Sequence, residues 1–224
     1  MAENLAKIRK HVPPSVTLVA VSKTQPAQAI REAYACGERH FGENYAQEWR
    51  EKSAALSDLP DLVWHFIGAL QTNKVKYLVG PSGEPPYSPR VAWIHTVDRL
   101  SLAEEISKRA ARAGTQIRVL LEVNVASEPS KSGCPPQSAR ALADGVSRLP
   151  GLDLRGLMCI PRPGDDPRPH FAALRALRDK LGLNLPDLSM GMSDDYQQAI
   201  AEGSTLVRIG TAIFGERPRG GPRR

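Results

Sequence analysis

In LVAVSKTQP (residues 18–26) a lysine closes an apolar run: Leu18 to Ser22 reads as a buried strand, and Thr24, Gln25 and Pro26 open a turn behind Lys23. A lysine at the rim of a water-excluding pocket has its ammonium destabilised, and the neutral amine is a nucleophile toward carbonyls. A lone lysine at a strand end more often only reaches to water along its alkyl stem, so other residues must decide. Two later stretches bear on the choice. MGMSDD (190–195) and RIGTAIFG (208–215) each set a glycine and a hydroxyl residue where a strand gives way to a helix. Such turns offer backbone N–H groups and an Oγ to phosphate. Read singly, Ser193 caps its helix and Gly210 turns the chain; read together, they describe a phosphate cradle.

An amine nucleophile facing a phosphate cradle suits pyridoxal 5′-phosphate. Its aldehyde would form an imine with Lys23 while its phosphate rests at Ser193, Gly210 and Thr211, and Arg208 would face the pyridine nitrogen. A guanidinium only donates and stays charged, so that nitrogen would remain an unprotonated acceptor and the ring a limited electron sink.

The elements that must position these residues follow from periodicity. Strand-length apolar runs occupy 16–22, 39–43, 62–68, 91–97, 117–124, 154–160, 187–191 and 205–210. Helix-like stretches lie between them, among them AQAIREAYACG, LSLAEEISKRAARAG and FAALRALRDKLG. Strict alternation implies parallel pairing through crossovers. Eight such units in 224 residues match a (β/α)8 barrel, whose chemistry sits at the strand C-termini and whose last two loops often hold phosphate. A doubly wound open sheet fits the same periodicity. A helix over 2–10 precedes the first strand and is expected to plug the barrel's bottom. The reading is one barrel over 1–216, with a mobile loop at GPSGEPPYSPR (80–90) and a disordered tail over 217–224. His95 and Asn124, polar residues near strand ends, are read as satisfying backbone groups.

Composition narrows the partners. The tail RPRGGPRR contributes four of the six net positive charges, and no aromatic-plus-basic motif accompanies it, so no specific nucleic acid is expected. No apolar run is long enough for a membrane helix. Three cysteines without a CxxC pair fit a reducing cytoplasm rather than a disulfide framework or a zinc site.

AVSKTQ, HFGENYAQE, WHFIGALQTNKVK, LLEVNVASEPSKSG, GLMCIP, LSMGMSDD and STLVRIGTAIFG resemble, in order, the motifs of the pyridoxal phosphate homeostasis protein family, also called the YggS/PROSC family. Its barrel is related to the N-terminal domain of alanine racemase. The resemblance spans about residues 16–216 and implies that Lys23 is the imine lysine and that Arg208 faces the pyridine nitrogen. It implies phosphate contacts from Ser193, Gly210 and Thr211, with Asn44 and Met190 lining the pocket. Lys131 matches a lysine near the family's pocket mouth, although a solvated loop lysine is the simpler reading. Ala69 stands where the family commonly has histidine, and Cys159, read as a small buried hydrophobe, stands where alanine is usual.

Two functions share that cofactor. A racemase needs a base on each face of a planar carbanion. The resemblance implies that alanine racemases take the tyrosine opposite the lysine from a separate C-terminal β domain, which this sequence lacks. Tyr45, Tyr77, Tyr87 and Tyr196 have no position that marks a second base. The preferred reading is a non-enzymatic, monomeric, cytoplasmic carrier. It would hold pyridoxal phosphate as an internal aldimine on Lys23 and supply apo-enzymes that require it; a racemase of low activity is the alternative.

Overall fold

The computed structural model describes residues 1–79, 91–126, 128 and 132–215. Tyr87, Lys131, the loop over 80–90 and the tail over 217–224 lie outside the described residues. Eight parallel strands close into a barrel in chain order. They are β1 (Thr17–Val21), β2 (His40–Glu43), β3 (Val63–Phe66), β4 (Trp93–Val97), β5 (Ile117–Glu122), β6 (Leu152–Met158), β7 (Asp187–Ser189) and β8 (Leu206–Ile209). Closure occurs where β1 lies beside β8, with Thr17 opposite Leu206 and Ala20 opposite Ile209. The open-sheet alternative is thereby excluded.

The surrounding helices are α1 (Ala2–Arg9), α2 (Ala27–Ala35), α3 (Ala46–Ala55), α4 (Val75–Leu78) and α5 (Leu100–Arg112), followed by α6 (Ala139–Val146), α7 (Arg168–Leu181), α8 (Tyr196–Ala201) and α9 (Thr211–Phe214). Helix α5 shows why they form: Leu102, Ala103, Ile106, Ser107 and Ala110 bury one face while Arg109 and Arg112 complement its C-terminal dipole. Helix α7 stops at Gly182, whose φ of 61° closes the helix in the left-handed region. The main core lies between sheet and helices and includes Phe41, Trp49, Phe66, Ile94, Ile106 and Phe171. A smaller cluster of Trp93, Leu120 and Met158 is separate from it.

Helix α1 departs from expectation. Asn4 Nδ2 donates to the Ile213 carbonyl beyond the top of β8, and Arg9 donates to the Cys36 carbonyl before the bottom of β2. The helix therefore runs down the barrel's flank, with Leu5 and Ile8 buried against it, instead of plugging the bottom. The physical reason is room: α9 is a single turn, so the place beside β8 and β1 is filled from the N-terminus.

Candidate functional site

The C-terminal ends of β1, β7 and β8 meet at the head of the barrel. Lys23 lines a small hollow together with Val21, Gln25, Gly210, Thr211 and Gly215. Beside β8, the chain leaves β7 through Gly191, whose φ is 93° and where a Cβ would stand 2.5 Å from that of Ala199. Only glycine fits there, and the turn it permits carries Ser193 toward α9. The amide of Ala212 points to Ser193 Oγ at 3.4 Å, joining the two loops. The amides of Ser193, Asp194 and Thr211 donate to no described residue. Thr211, with its amide and hydroxyl, thus lines the hollow beside Lys23, and Ser193 is joined to the same loop through Ala212.

Arg208 lies beneath, only 4% exposed. Its guanidinium donates to Ser189 Oγ at 2.6 Å and to the Cys159 carbonyl at 2.9 Å. Burial lowers its pKa, and Cys159, Asp195 and Glu122 counter that effect. Cys159 is fully buried with its thiol pushed up to about 12 by burial, which makes it inert packing.

A larger cleft of about 820 Å³ opens beside these residues over the ends of β2, β3 and β5, bordered by Asn44, Gly68, Ala69, Lys74, Glu122 and Asn124. Asn44 Oδ1 is buried there with no hydrogen-bond partner among the described residues. Gly68 presses against the Asn44 backbone, where a Cβ would lie 2.1 Å from the carbonyl oxygen, and this contact sets the asparagine's position. Asn124 behaves as expected of a strand-end residue: its amide exchanges hydrogen bonds with both backbone groups of Glu128.

The structure therefore brings Lys23, Gly210, Thr211 and Ser193 together, with Arg208 below and Asn44 in the adjoining cleft. Met190 is fully buried in the main core and directly follows Ser189, which accepts from Arg208.

Sequence reading missed the bracing of the Lys23 turn. Lys52, on α3, donates to the Ser22 carbonyl at 2.6 Å and to Glu43 Oε1 at 2.7 Å, and pairs with Glu48 at 2.7 Å. Glu43 also accepts from Ser22 Oγ, and Glu48 accepts from the Thr24 amide. Thr24 is, among the described residues, the one non-glycine residue at positive φ, 62°. Both neighbours of Lys23 are thus tied to a buried ionic cluster. The signal in sequence was faint: a Glu48–Lys52 spacing of one helical turn.

Glu122 was also missed. Burial, and next Asp98, push its carboxyl up to about 7 against the pull of Arg208. The folded form then keeps a proton that the unfolded chain, at its ordinary 4.5, has released, so stability falls as pH rises from 4.5 to about 7. Glu122→Gln removes that loss. In urea titrations it is expected to exceed the parent by about 1–3 kcal/mol near pH 8 and by almost nothing near pH 4.5. An equal difference at both pH values would show that the carboxyl carries no such penalty.

Comparison with known proteins places this geometry. Residues 1–218 match the model of the alanine racemase N-terminal domain. The pyridoxal phosphate homeostasis protein of Pseudomonas aeruginosa is 47% identical, covering 99% of this chain and 98% of its own. PipY of Synechococcus elongatus, solved with PLP bound, is 43% identical with a TM-score of 0.87, covering 96% of this chain and 99% of its own. Alanine racemase from Corynebacterium glutamicum, at 16% identity and a TM-score of 0.72, shares the fold across 99% of this chain and 62% of its own.

Proposed function

The chain belongs to the alanine racemase N-terminal domain family and, within it, to the pyridoxal phosphate homeostasis proteins, and from that we propose that it binds pyridoxal 5′-phosphate at the head of its barrel and holds it in reserve for apo-enzymes. The observation that carries this reading is the shared hollow of Lys23, Gly210 and Thr211, next to a serine that reaches across from β7. The residues fit the cofactor. An amine, open amides, two hydroxyls, a buried guanidinium and an orphaned amide oxygen match an aldehyde, a phosphate, a ring nitrogen and a phenolic hydroxyl. When bound, the cofactor supplies an aldehyde that condenses reversibly with a primary amine.

Each residue then has a task of its own. Lys23 presents its amine from a turn that Glu43, Glu48 and Lys52 keep in place. Ser193, Thr211 and the open amides beside them bind phosphate. Asn44 Oδ1 accepts a hydrogen bond from a hydroxyl. Arg208 donates to the ring nitrogen and takes no proton from it, which limits carbanion stabilisation and favours storage over turnover. The names of the close relatives support the same preference. Among the described residues no helix is long and apolar enough to cross a membrane. We take the protein to act as a monomer in the cytoplasm.

The test mixes cofactor-loaded protein with L- or D-alanine and, separately, with an apo-enzyme that requires pyridoxal phosphate. Transfer to the apo-enzyme with no inversion of alanine above a Lys23→Ala control is expected. Sustained inversion that depends on Lys23 would make the protein a racemase.

A further inference from the structure

A line of polar groups climbs through the barrel interior to Arg208. His40 Nδ1 lies 2.9 Å from His65 Nε2, and His65 Nδ1 lies 3.0 Å from His95 Nε2. His95 Nδ1 lies 2.9 Å from Ser189 Oγ, which is 2.6 Å from an Nη of Arg208. His65, His95 and Ser189 are fully buried. His40, the first residue of β2, is partly exposed at the lower rim.

The chemistry of the last member fixes the direction of the whole line. A guanidinium only donates, so Ser189 Oγ accepts from Arg208. The Ser189 hydroxyl proton then needs an acceptor, and among the described residues His95 Nδ1 is the group it meets. With Nδ1 accepting, neutral His95 carries its proton on Nε2 and donates to His65 Nδ1. His65 in turn carries its proton on Nε2 and donates to His40 Nδ1. The opposite direction would leave the Ser189 hydroxyl proton unpaired in a dry interior, a state that folded proteins avoid. Burial holds His65 and His95 well below their ordinary pKa and lowers that of His40, so the line consists of neutral imidazoles. His65 is further fixed by stacking on Trp93, 5.6 Å between ring centroids.

We propose that His95, backed by His65 and His40, is a positioning residue for the cofactor. Three imidazoles in the Nε2–H form hold Ser189 as an acceptor for Arg208, and so aim the guanidinium at the pyridine nitrogen. The aiming role rests on the binding reading above; the direction of the line does not. Nothing in the spacing of residues 40, 65, 95 and 189 announces this contact, since each lies on a different strand.

The test has two arms. In the first, ¹⁵N spectra of histidine-labelled protein without cofactor are expected to show bare Nδ1 and protonated Nε2 on the three rings of the line. Couplings across the hydrogen bonds should join His95 Nε2 to His65 Nδ1 and His65 Nε2 to His40 Nδ1. A proton on His95 Nδ1 would reverse the line and overturn the proposal. In the second arm, His95→Asn keeps an acceptor near the place of Nδ1, whereas His95→Phe does not. His95→Phe is expected to weaken pyridoxal phosphate binding about tenfold and to shift the bound absorption band, and His95→Asn to restore most of both. Equal behaviour of the two variants would remove the positioning role. Should His95→Phe not fold, the spectra of the parent still decide the direction. A parent that takes up no pyridoxal phosphate overturns the binding reading and the aiming role together, with the tautomer pattern judged separately.

Discussion

Lys23→Ala is expected to abolish the visible absorption band of protein incubated with pyridoxal phosphate and to weaken retention of the cofactor by about a hundredfold or more. The phosphate contacts proposed for Ser193 and Thr211 do not involve the lysine amine, so some reversible binding should persist. What disappears is the covalent hold, because alanine carries no amine. Folding should be little affected, since Lys23 is only partly buried at a loop rim and the ties of Ser22 and Thr24 to Glu43 and Glu48 do not pass through its side chain. Equilibrium dialysis read beside the visible spectrum separates the two contributions. A band of undiminished height in the variant would mean that another lysine holds the cofactor.

Lys52→Met should be the most damaging substitution away from the cofactor. Lys52 is 6% exposed and is the cation shared by Glu43, which is fully buried, and Glu48. Methionine fills a similar volume but leaves two carboxylates facing each other without a counter-charge. Removing one partner from a buried ionic group costs about 3–5 kcal/mol. The loss should depend on pH. Burial already pushes the Glu43 carboxyl up to about 7 although Lys52 opposes it, so without Lys52 the carboxyl rises further. Below that range Glu43 is protonated and the penalty shrinks; above it the full cost applies. Denaturant titrations near pH 8 and pH 5 should therefore show a large deficit and a much smaller one. The variant should also bind pyridoxal phosphate less tightly, because the Ser22 carbonyl loses the donor that steadies the turn before Lys23. A stability near pH 8 within about 0.5 kcal/mol of the parent would mean that the cluster is not the brace described here.

Strand periodicity exposed the barrel, because fully covered parallel strands read as short apolar runs separated by amphipathic helices. It also placed Lys23, Ser193, Arg208, Gly210 and Thr211 together at one end of the barrel, since in such a barrel position at a strand end translates directly into position around the rim. Residues whose role depends on register stayed hidden. Ser189 and the three histidines meet only after closure has set the strands side by side, and no local pattern encodes that. Lys52 sits in AQEWREKSAA, a stretch so polar that it reads as a solvated face, yet its ammonium turns inward to two carboxylates. The placement of α1 was equally beyond reach, because it depends on how short α9 turns out to be.

The central claim is that Lys23 is the residue that holds pyridoxal phosphate. Its most direct test is to incubate the protein with pyridoxal phosphate, reduce with borohydride, digest, and locate the modified lysine by mass spectrometry. The expected result is one stoichiometric pyridoxyl adduct on the peptide carrying Lys23. An adduct found chiefly on another lysine, or labelling spread evenly over surface lysines, would contradict the claim.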